Sequence, residues 1–204
     1  MAARIVLASA SPRRRALLLQ AGLGFLVRPA DVDETLPPGT SPVEGACGLA
    51  RRKALAVART TEGRAWVVGA DTVVAAGQGA GGERLLGKPE DEAEARAMLA
   101  ALSGTRHRVV TAVSVVTTPT GACLVDAETT WVRMRVIDAV EIAAYVRSGE
   151  WRDKAGGYAI QETADRFVLG LEGGGFDNVV GLPVGLTLAL LERAGAPDLP
   201  ARRS

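Results

Sequence analysis

The chain has 204 residues, with 24 Lys+Arg against 23 Asp+Glu, one histidine and 48% hydrophobic residues. That length and apolar content suffice for one large domain or two small lobes sharing a core, and the near-cancelling charge excludes a protein that grips nucleic acid through bulk positive charge. Cys47 and Cys123 are far apart and form no metal or redox motif, no apolar run reaches the roughly 18 residues of a membrane span, and no signal peptide is legible, which together predict the reducing cytoplasm.

In chain order, Ile5-Val6-Leu7 reads as a buried strand, and Ser11-Pro12 as the N-cap and first position of a helix stopped at Gly22. Arg13, Arg14 and Arg15 then fall in the first turns, where the helix already carries partial positive charge. Either this is a solvated basic turn, or the free N–H groups, the Ser9 and Ser11 hydroxyls and the guanidinium forks make an anion site. Phe25 to Arg28 reads as a second strand, followed by three carboxylates, Asp31, Asp33 and Glu34. Ser41-Pro42-Val43-Glu44 is a capping box opening a helix to about Arg59. Ala65 to Ala70 is a strand aimed at Asp71-Thr72 and continued by Val73 to Ala75; 77–82 reads as a glycine turn, with Leu85 to Pro89 returning from it.

Glu90 to Leu102 reads as a helix closed at Gly104, and Arg108 to Thr117 as a long strand turned at Thr118 to Gly121 into Cys123 to Val136, a hairpin. A second capping box, Asp138 to Glu141, opens a helix to Ser148-Gly149. Then come a loop over Trp151 to Gly157, a strand over Tyr158 to Gln161, a short strand Phe167 to Leu169, and a last helix to about Arg193 stopped by Gly195. Four or five helices with about seven strands, partly alternating and partly hairpin-paired, predict an α/β fold with a mixed sheet. The reading is one domain over 1–195 and a flexible tail over 196–204.

Asp71 is the acid that stands out, at the end of an apolar strand behind Gly69 and Ala70. Such a carboxylate is a metal ligand, a general base or a turn-former. With Glu34 it could hold Mg²⁺ against a phosphate chain, since that ion takes one or two carboxylates plus phosphate oxygens. Lys53, Lys88 and Lys154 are either phosphate ligands or solvated lysines. His107, between Arg106 and Arg108 at a strand start, reads as structural. Zinc ligand sets, a nucleophile elbow, a Walker A loop and a dinucleotide glycine fingerprint are all missing from the sequence.

These stretches, in fixed order from Leu7 to Glu192, resemble the Maf family of nucleoside triphosphate pyrophosphatases. The resemblance rests on Ala8-Ser9-Ala10-Ser11-Pro12-Arg13-Arg14, Asp33-Glu34, Leu49-Ala50 with Lys53-Ala54, Gly69-Ala70-Asp71-Thr72-Val73-Val74 and Gly87-Lys88-Pro89. It continues through Ser103-Gly104 with His107-Arg108-Val109, the run Asp153 to Gln161, and the run Asn178 to Pro183.

The resemblance implies an elongated, twisted mixed β-sheet with flanking helices and two lobes around a central cleft, as in inosine triphosphate pyrophosphatases. It implies hydrolysis of a nucleoside triphosphate to the monophosphate and pyrophosphate with a divalent cation (Mg²⁺, Mn²⁺ or Co²⁺), in a cytoplasmic homodimer with no nucleic-acid or membrane partner. Asp71 matches the proton acceptor; Glu34 and Asp71 would hold the metal. Ser9, Arg13, Arg14, Lys53, Thr72, Lys88, Lys154 and Gln161 would bind substrate, with Arg13, Thr72 and Gln161 setting base preference. Ala159-Ile160-Gln161 resembles the dTTP/UTP branch; the alternatives are a 7-methyl-GTP-type pyrophosphatase and a nucleotide-binding regulator of division or septum formation without required turnover. Glu162, where the family commonly has glycine, and the glycine-rich stretch around Gly173 to Gly175 depart from the pattern and bear on base specificity.

Overall fold

A computed structural model describes residues 4–77, 83–161 and 163–200. Its seven strands are β1 (Arg4–Leu7), β2 (Leu26–Val27), β3 (Ala65–Ala76), β4 (Arg84–Leu86), β5 (Arg106–Thr118), β6 (Ala122–Met134) and β7 (Val168–Glu172). Its helices are α1 (Pro12–Gln20), α2 (Pro42–Ala58), α3 (Glu92–Leu102), α4 (Ala139–Ser148), α5 (Phe176–Val180) and α6 (Val184–Arg193). The strands form one sheet in the order β2-β1-β3-β5-β6-β7, with β4 paired to β3. The sheet is mixed, as expected: β1 runs parallel to β2 and β3, β4 antiparallel to β3, and β7 antiparallel to β6.

The helix boundaries follow the capping chemistry. The Ser11 hydroxyl accepts from the Arg14 N–H, Ser41 and Glu44 complete a capping box, and so do Asp138 and Glu141. The chain divides into two compact units. One comprises Met1–Asp71, Thr111–Glu128 and Gly181–Ser204; the other Thr72–Val110 and Thr129–Val180. In the first, Val6, Ala8, Ala54, Val57, Val67 and Val116 share a core. In the second, α3 and α4 pack on a core that includes Leu99, Leu102, Tyr145 and Phe167.

β3 runs through Asp71 to Ala76, in line with the expected continuation over Val73 to Ala75, and Asp71 sits within the strand; every residue from Ala65 to Ala76 except Thr72 is buried. Other local expectations change. No strand forms over Tyr158 to Gln161. Gly156 and Gly157 turn at φ 72° and 73°, and Tyr158, Ala159 and Ile160 are buried in succession rather than alternately, so the segment packs as a turn. A 3₁₀ turn over Thr163–Phe167 and the short α5 were not anticipated. The turn assigned to 77–82 lies, after Gly77, outside the described residues, as do Glu162 and 201–204 of the tail.

Candidate active site

The first unit gathers its charged groups around one buried lysine. On α2 the positions Ala46, Leu49, Ala50, Lys53, Ala54 and Val57 are all buried, a helical stripe in which Lys53 is the one charged member. Gly69 of β3 lets this stripe approach: a Cβ there would lie 2.3 Å from the Ala50 carbonyl oxygen and 2.7 Å from the Ala54 nitrogen. Any side chain would push α2 off the strand. Two residues on, Asp71 is 7% exposed and its Oδ1 accepts from Lys53 Nζ at 2.6 Å. Glu34, in the loop after β2, meets the same Nζ at 2.6 Å and keeps 44% of its side chain exposed. Arg52 donates to the Asp33 carbonyl oxygen, so neighbouring cations of α2 hold the acidic loop at two successive residues.

Arg14 forms the other wall. Its Nε donates to the Gly181 carbonyl oxygen at 2.7 Å, and its Nη1 donates to the Ala70 carbonyl oxygen at 2.9 Å and to Ser9 Oγ at 3.3 Å. Ser9 Oγ also accepts from the Ser11 N–H at 3.2 Å. Arg14 therefore ties the start of α1 to β3 and to the turn before α6; the structure uses it as a framework group beside Asp71. Burial raises the Asp71 carboxyl above its ordinary value, against the pull of Lys53 and Arg14. Burial likewise lowers Arg14, with Asp71 opposing.

Of the three carboxylates after β2, only Glu34 turns to Lys53; Asp33 accepts from the Thr35 N–H at 2.8 Å, a local turn that lowers its pKa. Arg13 is half-buried on α1. Among the described residues no group of three or more His, Cys, Asp and Glu side chains converges. Glu34 and Asp71, both within reach of one ammonium, fit a hard divalent cation only if phosphate oxygens complete its shell.

The remaining site candidates lie in the second unit, Thr72 on β3 and the others on two loops that are stitched together. Lys88 is exposed just after β4; Lys154 is buried and its ammonium donates to the Glu150 carbonyl oxygen. The Gly156 N–H donates to the Gly87 carbonyl oxygen at 2.9 Å, joining the Lys88 segment to the Lys154 segment. Gly156 has φ 72°, and a Cβ there would press on the Val74 side chain at 3.1 Å. Glu150 accepts from the Thr163 N–H at 3.1 Å and its hydroxyl at 2.6 Å, holding the far end of the loop. Gln161 projects at the surface, and Thr72 is half-buried at the first position of this unit.

From sequence alone His107 reads as structural, and Tyr158 has no role in the site. The structure places the His107 Nε2 2.8 Å from the Tyr158 hydroxyl, with the rings edge-on at 5.6 Å and 89°. The available signal was a lone imidazole in an apolar strand and a phenol directly after two glycines.

The family model described as Maf-like protein matches residues 4–194. A relative from Myxococcus xanthus named dTTP/UTP pyrophosphatase is 48% identical over 200 residues, 98% of this chain and 96% of that protein. One of the same name from Thermomicrobium roseum is 50% identical over 194 residues, 95% of this chain and 85% of that protein. A solved structure titled nucleoside-triphosphatase / dITP/XTP pyrophosphatase, from Mycobacterium abscessus, is 21% identical with a TM-score of 0.41, covering 67% of this chain and 76% of that one. Matched along 4–194 and half identical to relatives over nearly its full length, the chain belongs to the Maf-like protein family.

Proposed function

We propose that this protein hydrolyses nucleoside triphosphates to the monophosphate and pyrophosphate, with dTTP and UTP preferred. The observation that carries the reaction is the buried Asp71 carboxylate, held on Lys53 Nζ at 2.6 Å and made more basic by burial. A carboxylate whose pKa is raised by burial is a stronger proton acceptor than an ordinary one. Water attacks the α phosphorus, the bond from that phosphorus to the bridging oxygen breaks, pyrophosphate leaves with the electron pair, and Asp71 takes the water proton. Lys53, held between Glu34 and Asp71, is placed to turn hydrogen-bond donors toward phosphate oxygens, and Arg14 fixes the strand and turn beside it. Positioning and charge stabilisation supply most of the acceleration in such transfers.

A divalent cation bound with the triphosphate would neutralise charge on the phosphate oxygens, and Glu34 and Asp71 are the residues that would hold it. Arg13, Lys88 and Lys154 are assigned to phosphate, Ser9 to orientation of Arg14, and Thr72 with Gln161 to the base. A side-chain amide carries both a donor and an acceptor, which suits a pyrimidine edge. The names of the relatives support dTTP and UTP for this chain. Among the described residues no helix is long and apolar enough to cross a membrane. A cytoplasmic homodimer completes the reading.

Pyrophosphate release from canonical and modified nucleoside triphosphates, with Mg²⁺, Mn²⁺ or Co²⁺ and with EDTA, tests it. The expected result is metal-dependent release led by dTTP and UTP. Release led by 7-methyl-GTP would keep the reaction and overturn the base assignment. Nucleotide binding with no release would replace the enzyme by a regulator.

A further inference from the structure

The second unit holds a buried polar pair that the reaction above does not use. His107 is 1% exposed on β5 and Tyr158 is 5% exposed in the turn after Gly157. Burial holds the His107 imidazole neutral, with its pKa lowered to about 4, and raises the Tyr158 phenol, so the 2.8 Å contact joins two neutral groups. The other imidazole nitrogen, Nδ1, is buried without a hydrogen-bond partner among the described residues. An orphaned buried polar atom destabilises, and an apolar side chain of similar volume would avoid that cost. The pair is therefore poorly explained as a device for stability alone.

Its position supplies another explanation. Tyr158 lies between Lys154, which is buried, and Gln161, which is exposed. The segment is pinned at its glycine turn by the bond from the Gly156 N–H to the Gly87 carbonyl oxygen, and at its end by Glu150 on Thr163. The phenol is the pin between those two, and it fastens the segment to β5. We propose that His107 and Tyr158 are positioning residues for base discrimination, their hydrogen bond fixing the 154–161 backbone and so the direction in which Gln161 presents its amide. This rests on the pyrophosphatase reading and on Gln161 as the base-reading side chain.

Tyr158→Phe keeps the ring and its edge-on packing and removes only the hydroxyl. The expected result is a KM for dTTP and UTP raised about three- to tenfold, the range one net hydrogen bond corresponds to, with kcat within about twofold. The preference for UTP over CTP falls by the same factor, which a merely structural loss would leave alone. His107→Gln, whose amide reaches toward the same hydroxyl, restores the preference; His107→Leu behaves like Tyr158→Phe, and the double variant His107→Leu/Tyr158→Phe is no worse than either single one. Tyr158→Phe with wild-type KM and wild-type preference overturns the proposal, and so does a KM that rises equally for every nucleotide. A wild-type chain that releases no pyrophosphate sinks the enzyme reading instead, so the two failures are told apart.

Discussion

The two units solve the problem of a buried polar group in opposite ways. In the first, Lys53 is met by two carboxylates, Glu34 and Asp71, each at 2.6 Å, so charge is answered by charge. In the second, the hydrogen bond between His107 and Tyr158 joins neutral groups, and His107 Nδ1 has no hydrogen-bond partner among the described residues. Removing one partner of a buried ion pair weakens the compensation of the charge left behind, and here a second carboxylate stands by. Buried neutral partners fix geometry too, and a group left unpaired there is costly. On the proposed reading, the proton acceptor belongs to the first unit and the base-reading loop to the second.

The largest break in that contrast comes from Asp71→Asn. The substitution keeps volume, leaves Lys53 its partner Glu34, and removes the proton acceptor. The expected loss in kcat for dTTP is about 10³-fold, in the range of a positioned general base, while dTTP affinity stays within about threefold. A loss below about tenfold in kcat would return Asp71 to the role of a structural counter-ion for Lys53.

Acid should break the neutral unit before the charged one. In the unfolded chain His107 takes a proton near its ordinary value of 6.5, but in the folded chain only near 4. Between those values the unfolded state binds more protons, so stability falls as pH drops through that window. The full difference corresponds to about 3 kcal/mol, lost progressively between about pH 6.5 and 4. Asp71, raised from 3.8, acts in the opposite sense at the lower end, since its folded form takes a proton more readily than the unfolded chain. Glu141, lowered to about 2 by Arg135, loses its contribution only below its ordinary 4.5. Denaturant melts of wild type and His107→Gln at pH 7 and pH 5 separate these groups. Wild type loses stability on going to pH 5 and the variant does so far less; parallel behaviour would show that His107 is not the titrating group.

Much of the first unit was legible because charge and periodicity point the same way. The Ser11 and Ser41 caps and the run of β3 follow from residue type and spacing. Lys53 carried an unread signal, a cation on the buried stripe of α2, whose meaning depends on Gly69 two strand positions before Asp71. For Arg14 the helix start suggests an anion ligand, and the structure adds contacts that local sequence does not announce: backbone carbonyls brought from Ala70 and Gly181 take its Nη1 and Nε. In the second unit, Tyr158-Ala159-Ile160 has strand composition, and composition does not reveal that Gly156 and Gly157 bend the chain into a pinned turn. The His107–Tyr158 contact joins residues 51 apart in sequence, and no local pattern announces it.

The smallest effect discriminates most finely. Gln161→Ala removes an exposed side chain, so melting temperature should stay within about a degree, as for surface substitutions generally. The ratio of kcat/KM for UTP over CTP should fall about three- to tenfold, one net hydrogen bond's worth. Uracil and cytosine present opposite donor and acceptor order at the edge where they differ, and an amide that can turn over satisfies either. Gln161 can therefore discriminate only if its amide is prevented from turning. If the pinned loop prevents it, Gln161→Ala placed in the Tyr158→Phe background removes nothing further, because the preference is already gone. If the two losses instead multiply, Gln161 reads the base without help from the loop, and the contrast between the two units loses its functional meaning.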